Sequence, residues 1–246
     1  MIKLGICGIC GKMGRMIAKI AFLDDELKVA AGFEVEGHPD TGKDIGEILG
    51  IGEAGVAVSS DVKEGVKGID VLIDFTSPGS SVMNADICML NGKAIVIGTT
   101  GLSEDGEKAI KKYSKKIPII YSPNMAPGVN LLFDIAAKCA KALGEDFDIK
   151  VDETHHIHKK DSPSGTAKMI AKRIKEACGR DVPIEAKRVG EVVGNHGIIF
   201  KGQFETIEIR HDAKSREVFA AGAVKAAKFL AGRKPGLYGM GEVLGL

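Results

Sequence analysis

The amino-acid sequence predicts an α/β protein in which a doubly wound parallel sheet is followed by a smaller α+β domain. Three observations support this prediction. Short, continuously apolar runs alternate with amphipathic segments of helical period up to residue 121. A glycine-rich loop follows the first apolar run. Beyond residue 126 the remaining strand-like runs are joined by short glycine-containing turns, which is typical of an antiparallel or mixed sheet.

The strands predicted in the first part are short runs bounded by polar residues or glycine. In chain order they are Ile2–Cys7, Leu27–Phe33, Val56–Ser59, Asp70–Phe75, Ala94–Ile97 and Ile117–Tyr121. Helices are predicted between them at Lys12–Leu23 and at about 80–91 and 103–115. Strands that are apolar on both faces and alternate with helices form parallel sheets covered on both sides, so a doubly wound fold follows.

In the second part the predicted helices and strands no longer alternate regularly, and we place a domain boundary near residue 126. Helices are predicted at Val129–Leu143, Ser164–Cys178 and Arg216–Leu230. Strands are predicted at Asp148–Thr154, Ile184–Val189, Gly197–Phe200 and Phe204–His211, and a glycine-rich tail closes the chain. Polar and apolar residues alternate along the last strand, which predicts one covered face and one wetter face.

Composition excludes several classes of protein. The 246 residues carry 34 Lys and Arg against 33 Asp and Glu, and this balance argues against electrostatic binding of nucleic acid. No apolar run approaches the roughly 20 residues that span a bilayer, and the N-terminus lacks a signal-peptide layout. Five irregularly spaced cysteines do not resemble a disulfide framework, so we expect a cytoplasmic protein. Glycine is abundant, with 32 residues, which indicates many close backbone approaches or positive φ angles.

The glycine loop predicts a nucleotide site. Gly8, Gly11 and Gly14 lie between the first strand and the first helix, where bare backbone N–H groups and the positive helix end bind a pyrophosphate. Glu34, at the end of the second strand, is placed to accept hydrogen bonds from a ribose. The spacing is G-x-x-G-x-x-G rather than the dinucleotide fingerprint, so a purely structural turn remains an alternative. Lys12 and Lys43 would meet a 2′-phosphate if the cofactor is NADPH.

Three further polar segments lie at the ends of strands of the same predicted sheet. The segment 74–76 reads DFT, Gly98–Gly101 reads GTTG and 122–125 reads SPNM. Because the carboxyl ends of parallel strands meet at one edge, these segments are expected to join the glycine loop there. Asn124 is placed to orient a nicotinamide carboxamide.

The segment 151–162, VDETHHIHKKDS, contains three of the six histidines. A metal site is one interpretation, but Lys159 and Lys160 would oppose a cation there. Ordinary polar strand residues are another. The third is an acid/base site with anion-binding lysines, because the following P-S-G-T begins a helix whose N-terminal amides also bind anions. This combination suits a small substrate that carries carboxylates.

Together these motifs resemble the 4-hydroxy-tetrahydrodipicolinate reductase (dihydrodipicolinate reductase) family of lysine biosynthesis. The resemblance includes the glycine loop GICGKMGRM, DFT (74–76), IGTTG (97–101) and PN-x-x-x-GVN (123–130). It continues through E-x-HH-x-HK-x-D-x-PSGT (153–166) and RVGEVVGNH (188–196). It therefore covers nearly the whole chain, and the histidine–lysine–PSGT motif is its most specific part.

The resemblance implies NAD(P)H-dependent reduction of a cyclic unsaturated dicarboxylate to tetrahydrodipicolinate. By matching position, His155 is expected to be the proton donor and Lys159 the second acid/base group. His156, Gly165 and Thr166 are expected to contact the substrate, and no metal is expected. The expected cofactor contacts are Gly8, Ile9, Cys10, Gly11, Lys12, Met13, Glu34, Gly98, Thr99, Thr100, Ser122, Pro123, Asn124 and Met125.

The resemblance also implies a Rossmann-type dinucleotide-binding domain, residues 1–126, completed by the C-terminal helix and tail at about 220–246. Residues 127–219 would form a substrate-binding domain that assembles a homotetramer. Val35 stands where many members carry an Arg suited to a 2′-phosphate, and the stretch 179–187 is shorter than in longer members.

Two other functions remain open from the sequence. One is a different nicotinamide-dependent oxidoreductase of amino-acid metabolism on the same fold. Cys139 and Cys178 fall late in predicted helices, which is not the setting of a catalytic nucleophile. The other is a non-catalytic dinucleotide-sensing protein, in which the histidine cluster has no kinetic role.

Overall fold

The computed structural model describes residues 1–246, and the chain divides into two compact units. The first comprises Met1–Met125 and Phe219–Gly245, and the second comprises Ala126–Val218. A late segment of the chain therefore returns to the first unit. None of the helices is both long enough and apolar enough to span a bilayer.

The first unit is built on a seven-stranded sheet in which every pairing is parallel. Its strands are β1 (Ile2–Cys7), β2 (Leu27–Phe33), β3 (Val58–Ser59), β4 (Val71–Asp74), β5 (Ala94–Ile97), β6 (Pro118–Tyr121) and β11 (Gly236–Tyr238). The spatial order is β11-β6-β5-β4-β1-β2-β3. The chain thus runs outward from β1 in both directions, which confirms the predicted doubly wound, Rossmann-type fold.

Helices cover both faces of this sheet. They are α1 (Lys12–Phe22), α2 (Ile45–Leu49), α3 (Val62–Gly65), α4 (Pro78–Leu90), α5 (Glu104–Tyr113), α8 (Glu217–Leu230) and α9 (Met240–Leu244). Successive residues of β4 enter different cores: Val71 and Ile73 join the cluster that includes α1 and α8, whereas Leu72 joins the one that includes α4 and α5. Burial on both faces explains why these strands are continuously apolar.

The second unit contains a four-stranded mixed sheet with two helices packed on it. The strands are β7 (Asp148–His155), β8 (Ile184–Arg188), β9 (Asn195–Lys201) and β10 (Thr206–Asp212), and the helices are α6 (Pro127–Leu143) and α7 (Gly165–Cys178). The order is β10-β9-β7-β8, with β7 and β8 parallel and the other pairs antiparallel. The helices and the apolar side chains of the sheet share one core that includes Val151, Ile170 and Ile198.

The structure differs from the prediction mainly in short elements. The five-residue α2 and the tail elements β11 and α9 are too short to show a periodic pattern in the sequence. Strand β10 begins at Thr206, so the predicted start at Phe204 is wrong, and Phe204 is 91% exposed in the turn before it. Strand β7 ends at His155, so His156 and His158 lie beyond the strand and do not alternate between its two faces.

Candidate functional site

The glycine loop is shaped by close backbone approaches. Gly8, at the end of β1, has φ +75°, and a Cβ there would meet the carbonyl oxygen of Phe75. A Cβ on Gly14 would overlap the carbonyl oxygen of Gly8. Helix α1 begins after Gly11, which has no side chain to cap it. Its first N–H groups therefore face no capping side chain, which is the arrangement that suits a phosphate.

A cleft of about 530 Å³ lies beside this loop at the carboxyl ends of the strands. Glu34, Val35 and Glu36 line one part of it, with Gly8 and Gly11 of the loop, and Phe75 and Thr76 line another. No Lys or Arg is among its lining residues. Glu34 accepts a hydrogen bond from the Cys10 backbone N–H at 3.1 Å, which places its carboxylate at the loop. The loop, the cleft and this carboxylate fit a dinucleotide.

The buried carboxylate of Asp74 joins three segments at this edge of the sheet. One oxygen accepts hydrogen bonds from the Thr76 backbone and hydroxyl (3.1 and 2.8 Å), from Ser81 Oγ (2.7 Å) and from Thr99 Oγ1 (3.1 Å). The other accepts from Asn84 Nδ2 at 2.6 Å. This network fixes the end of β4, the start of α4 and the Gly98–Thr100 loop relative to one another.

The remaining expected cofactor residues have distinct positions. A Cβ on Gly98 would overlap the Phe75 ring, so this position admits only glycine without rearrangement. The Ser122 hydroxyl donates to the Asn124 carbonyl at 2.8 Å and shapes the turn after β6. Ile9 and Met125 are buried in the core, at 0% and 2% exposure, so neither side chain is open to a ligand. Lys12 and Met13 form the first turn of α1.

Three potential metal ligands also approach each other near the loop. A ligand atom of each of Cys10, His38 and Asp40 lies within 4.8 Å of the others. The Asp40 carboxylate, however, already pairs with Lys43 at 2.6 Å and with Arg15 at 3.6 Å. Two positive charges beside Asp40 oppose a divalent cation at this position. Burial, together with Glu34 and Asp40, raises the pKa of the Cys10 thiol to about 11, so the thiol is protonated near neutral pH.

In the second unit, the end of β7 carries a buried ion-pair cluster. Glu153 contacts His155 Nδ1 through one carboxylate oxygen. It also accepts hydrogen bonds from the Ser164 backbone N–H at 3.1 Å and from the Arg188 guanidinium at 3.0 and 3.1 Å. Burial raises the pKa of Glu153, but the hydrogen bonds from these three groups outweigh burial and hold it below its usual value. Glu153 therefore stays ionised and orients the His155 ring.

His155 itself is buried between charged and aromatic side chains. Its Nδ1 faces Glu153, so Nε2 is the nitrogen left for chemistry. Nε2 lies close to Gly194, because a Cβ added to Gly194 would be 3.0 Å from it. Burial lowers the pKa of His155 below 6.5, although Glu153 works against this shift. The His196 ring stands edge-on at 5.1 Å between centroids. Burial, with help from His155 and His211, lowers the pKa of His196 to about 3.

The lysine and the helix start lie on the loop that follows β7. Lys159 Nζ pairs with the Asp161 carboxylate at 2.9 Å. Hydrogen bonds from Lys159 and from the Gly165 backbone contribute to a lowered pKa of Asp161, so this carboxylate interacts with the first amide of α7. Ser164 caps α7 by accepting from the Ala167 N–H at 3.2 Å. A lysine and a helix N-terminus that together hold one carboxylate form an anion site.

The sequence interpretation missed several residues of these two clusters. Arg188, His196 and His211 lie 33 to 56 positions after His155 in the sequence, and only the pairing of β7 with β8 and β9, and of β9 with β10, brings them near it. Ser81 and Asn84 were missed because a polar residue in a helix is ordinarily solvent-facing. Asp74 is expected at this edge of the sheet as part of the segment 74–76, but its hydrogen bonds from Ser81 and Asn84 are not foreseen from the sequence. His156 lies beyond the strand, and its Nδ1 is buried without a hydrogen-bond partner.

Comparison with known proteins gives matches across the whole chain. A family model described as "Dihydrodipicolinate reductase, N-terminus" matches residues 2–125, and one described as "Dihydrodipicolinate reductase, C-terminus" matches residues 128–244. A 4-hydroxy-tetrahydrodipicolinate reductase from Trichlorobacter lovleyi is 42% identical over 266 aligned positions, covering 100% of both chains. The enzyme of the same name from Geotalea uraniireducens is 42% identical over 267 positions, again with full coverage of both.

Solved structures share the fold at lower identity. A dipicolinate-bound dihydrodipicolinate reductase from Paenisporosarcina sp. TG-14 superposes with a TM-score of 0.83 at 24% identity, covering 97% of each chain. An amine dehydrogenase from Mycobacterium smegmatis reaches a TM-score of 0.71 at 12% identity, covering 96% of this chain and 94% of its own. The second match shows that this architecture is shared with other oxidoreductases.

Proposed function

Since the chain belongs to the dihydrodipicolinate reductase family, we propose that it reduces 4-hydroxy-tetrahydrodipicolinate to tetrahydrodipicolinate with NADH or NADPH. The change replaces a hydroxyl by hydrogen, so a hydride and a proton enter the ring and water leaves. The observation that carries the proposal is the buried Glu153–His155 pair beside a lysine and a helix N-terminus. An acid/base group next to an anion site is what a dicarboxylate reductase needs.

The first unit would hold the dinucleotide. The N–H groups at the start of α1 would bind the pyrophosphate, and Glu34 would accept hydrogen bonds from the adenosine ribose. The Gly98–Thr100 and Ser122–Met125 loops would hold the nicotinamide end, with Asp74 fixing the first of them. The reduced nicotinamide supplies the hydride.

The second unit would hold the substrate. Lys159, Gly165 and Thr166 would bind a substrate carboxylate at the start of α7, and His156 would add a further polar contact. Asp161 now pairs with Lys159 and interacts with the Gly165 amide, so a substrate carboxylate would compete with the Asp161 side chain for these donors.

His155 would deliver the proton from Nε2. Glu153 holds Nδ1 and stabilises the imidazolium, so the proton available for transfer is the one on the opposite nitrogen. Lys159 would be the second acid/base group. The low pKa of His196 keeps that neighbour uncharged, so it does not repel the imidazolium.

A coupled assay tests the proposal. Dihydrodipicolinate synthase generates the substrate, and oxidation of NADH or NADPH is followed by absorbance at 340 nm. Synthase-dependent oxidation supports the reductase. Absence of turnover with both cofactors, together with tight dinucleotide binding, would instead favour the sensing protein. Turnover only with another amino-acid-derived substrate would favour a different oxidoreductase on this fold.

The pH dependence provides a second prediction. Because His155 must be protonated to act as an acid and burial lowers its pKa, kcat/KM is expected to fall as pH rises through a value below 6.5. The negative charges of a bound dicarboxylate raise the pKa of His155, so the kcat profile is expected to fall at a higher pH than the kcat/KM profile. Steady-state kinetics between pH 5 and 9 measure both, and coincident profiles would contradict proton donation by His155.

We also propose that the enzyme is a cytoplasmic homotetramer whose second unit carries the oligomer contacts. The face of the β7–β10 sheet that lies opposite α6 and α7 presents Thr206, Glu208 and Arg210 as exposed residues. This open face supports a role in assembly. Sedimentation velocity on the purified chain measures the mass, and a monomer at micromolar concentration would contradict the assignment.

A further inference from the structure

We propose that Asp40 is a specificity-determining residue for the cofactor: its carboxylate neutralises Lys43 and Arg15, and so disfavours dinucleotides that carry a 2′-phosphate. The inference rests on the dinucleotide site proposed above. It concerns the ion pairs of Asp40 with Lys43 and Arg15 near Cys10, and no role has yet been assigned to Asp40.

Asp40 lies next to the part of the loop where the ribose would bind. Its carboxylate is within 4.8 Å of Cys10 Sγ, and the backbone N–H of the same Cys10 donates to Glu34 at 3.1 Å. Its own backbone N–H donates to His38 Nδ1 at 3.1 Å, which fixes the turn that carries it. A group attached to the ribose held by Glu34 would therefore approach the Asp40 side chain and its partners.

The four charges that act on the Cys10 thiol balance. Glu34 and Asp40 contribute two negative charges, and Arg15 and Lys43 contribute two positive ones. Lys43 and Arg15 both lower the pKa of Asp40, with the Lys43 hydrogen bond as the largest cause, so Asp40 stays ionised. Val35, which follows Glu34 and lines the cleft at 67% exposure, adds no charge. A 2′-phosphate carries about −1.5 to −2 charges at pH 7 and would find no surplus cation here.

Lys43 is the cation that loss of Asp40 would release. Arg15 is also held by backbone carbonyls, since its Nε donates to Cys10 at 2.9 Å and its guanidinium to Ile48 at 3.4 Å. Lys43 Nζ, by contrast, bonds to the Asp40 carboxylate alone, and its side chain is 56% exposed. Its long, flexible stem would allow the freed ammonium to reach a phosphate nearby.

The test compares two ligands that differ by one phosphate. Isothermal titration calorimetry measures Kd for adenosine 2′,5′-bisphosphate and for AMP on the intact enzyme. Asp40→Asn is expected to tighten the bisphosphate about tenfold, as one released charge near a phosphate would produce, and to leave Kd for AMP within about twofold. The gain is expected to shrink as salt is raised. The double variant Asp40→Asn/Lys43→Met should return to the wild-type ratio.

Asp105→Asn is the matched control. Asp105 also pairs with a lysine three residues on, Lys108 at 3.1 Å, but lies exposed on α5, and its removal changes the net charge equally. An unchanged ratio in Asp40→Asn, an equal gain in Asp105→Asn, or a gain that survives in the double variant would each overturn the inference. Failure of wild type to bind either nucleotide would overturn the dinucleotide site itself. Thermal unfolding confirms that each variant is folded.

Discussion

Replacing His155 by glutamine is expected to lower kcat by about 10²- to 10⁴-fold, the usual contribution of a positioned general acid. Glutamine retains polar atoms near Glu153 but has no proton of suitable acidity to give to the ring. Dinucleotide affinity should be unchanged, because the residues expected to bind it belong to the other unit. Stopped-flow single turnovers and fluorescence titration with NADH separate these two quantities.

His158→Gln provides the control for this substitution. His158 belongs to the same histidine-rich segment, but its side chain is 70% exposed and lies 3.5 Å from Glu191. Its replacement is expected to change kcat by less than about twofold, as is usual for a solvated side chain. Equal losses in the two variants, or normal turnover in His155→Gln, would assign the proton to another group, with Lys159 the first candidate.

Replacing Glu153 by alanine is expected to destabilise the second unit by about 3–5 kcal/mol, the range for breaking a buried ion pair. The Glu153 side chain is fully buried and is shared by His155, the Ser164 amide and Arg188. Its removal leaves the Arg188 guanidinium partly buried without its main counter-charge. Thermal unfolding followed by circular dichroism measures the shift in Tm.

Glu185→Ala is the matched comparison, because Glu185 lies on the neighbouring strand and also has two cationic partners, Lys150 and Lys187. Its side chain is 42% exposed, so solvent screens its ion pairs and its loss should shift Tm far less than the loss of Glu153 does. Similar Tm shifts in the two alanine variants would show that burial of the Glu153 cluster adds nothing to the stability of the second unit. The isosteric Glu153→Gln keeps the volume, and a lower kcat with a retained fold in this variant would identify Glu153 as a positioning residue for His155.

The parallel sheet could be predicted from the sequence because its strands are buried on both faces. Val71, Leu72 and Ile73 enter two different cores, and so form an unbroken apolar run that no half-exposed strand would show. The glycine loop was readable for a similar reason, since Gly8 and Gly14 occupy positions where a Cβ would collide with backbone. Short elements such as α2 were not readable, because five residues cannot display a helical period.

The site was readable only in part. The segment 151–166 concentrates chemistry within one stretch of chain, so its histidines, Lys159 and the start of α7 could be singled out together. The partners that hold it could not: Arg188 reaches Glu153 through the parallel pairing of β7 with β8, and His196 through the antiparallel pairing with β9. A surface arginine and one that anchors a buried carboxylate look alike in a linear sequence.

By itself the sequence determined the doubly wound fold, the glycine loop and the segment that carries the acid/base groups, because local burial, backbone sterics and composition leave their pattern along the chain. The tertiary structure decided which charges meet. It places Glu153 against His155 and Arg188, Asp161 against Lys159 and the start of α7, and Asp40 between Lys43 and Arg15. The physical reason is that Coulomb and hydrogen-bond energies depend on distance and burial, which are properties of the folded chain.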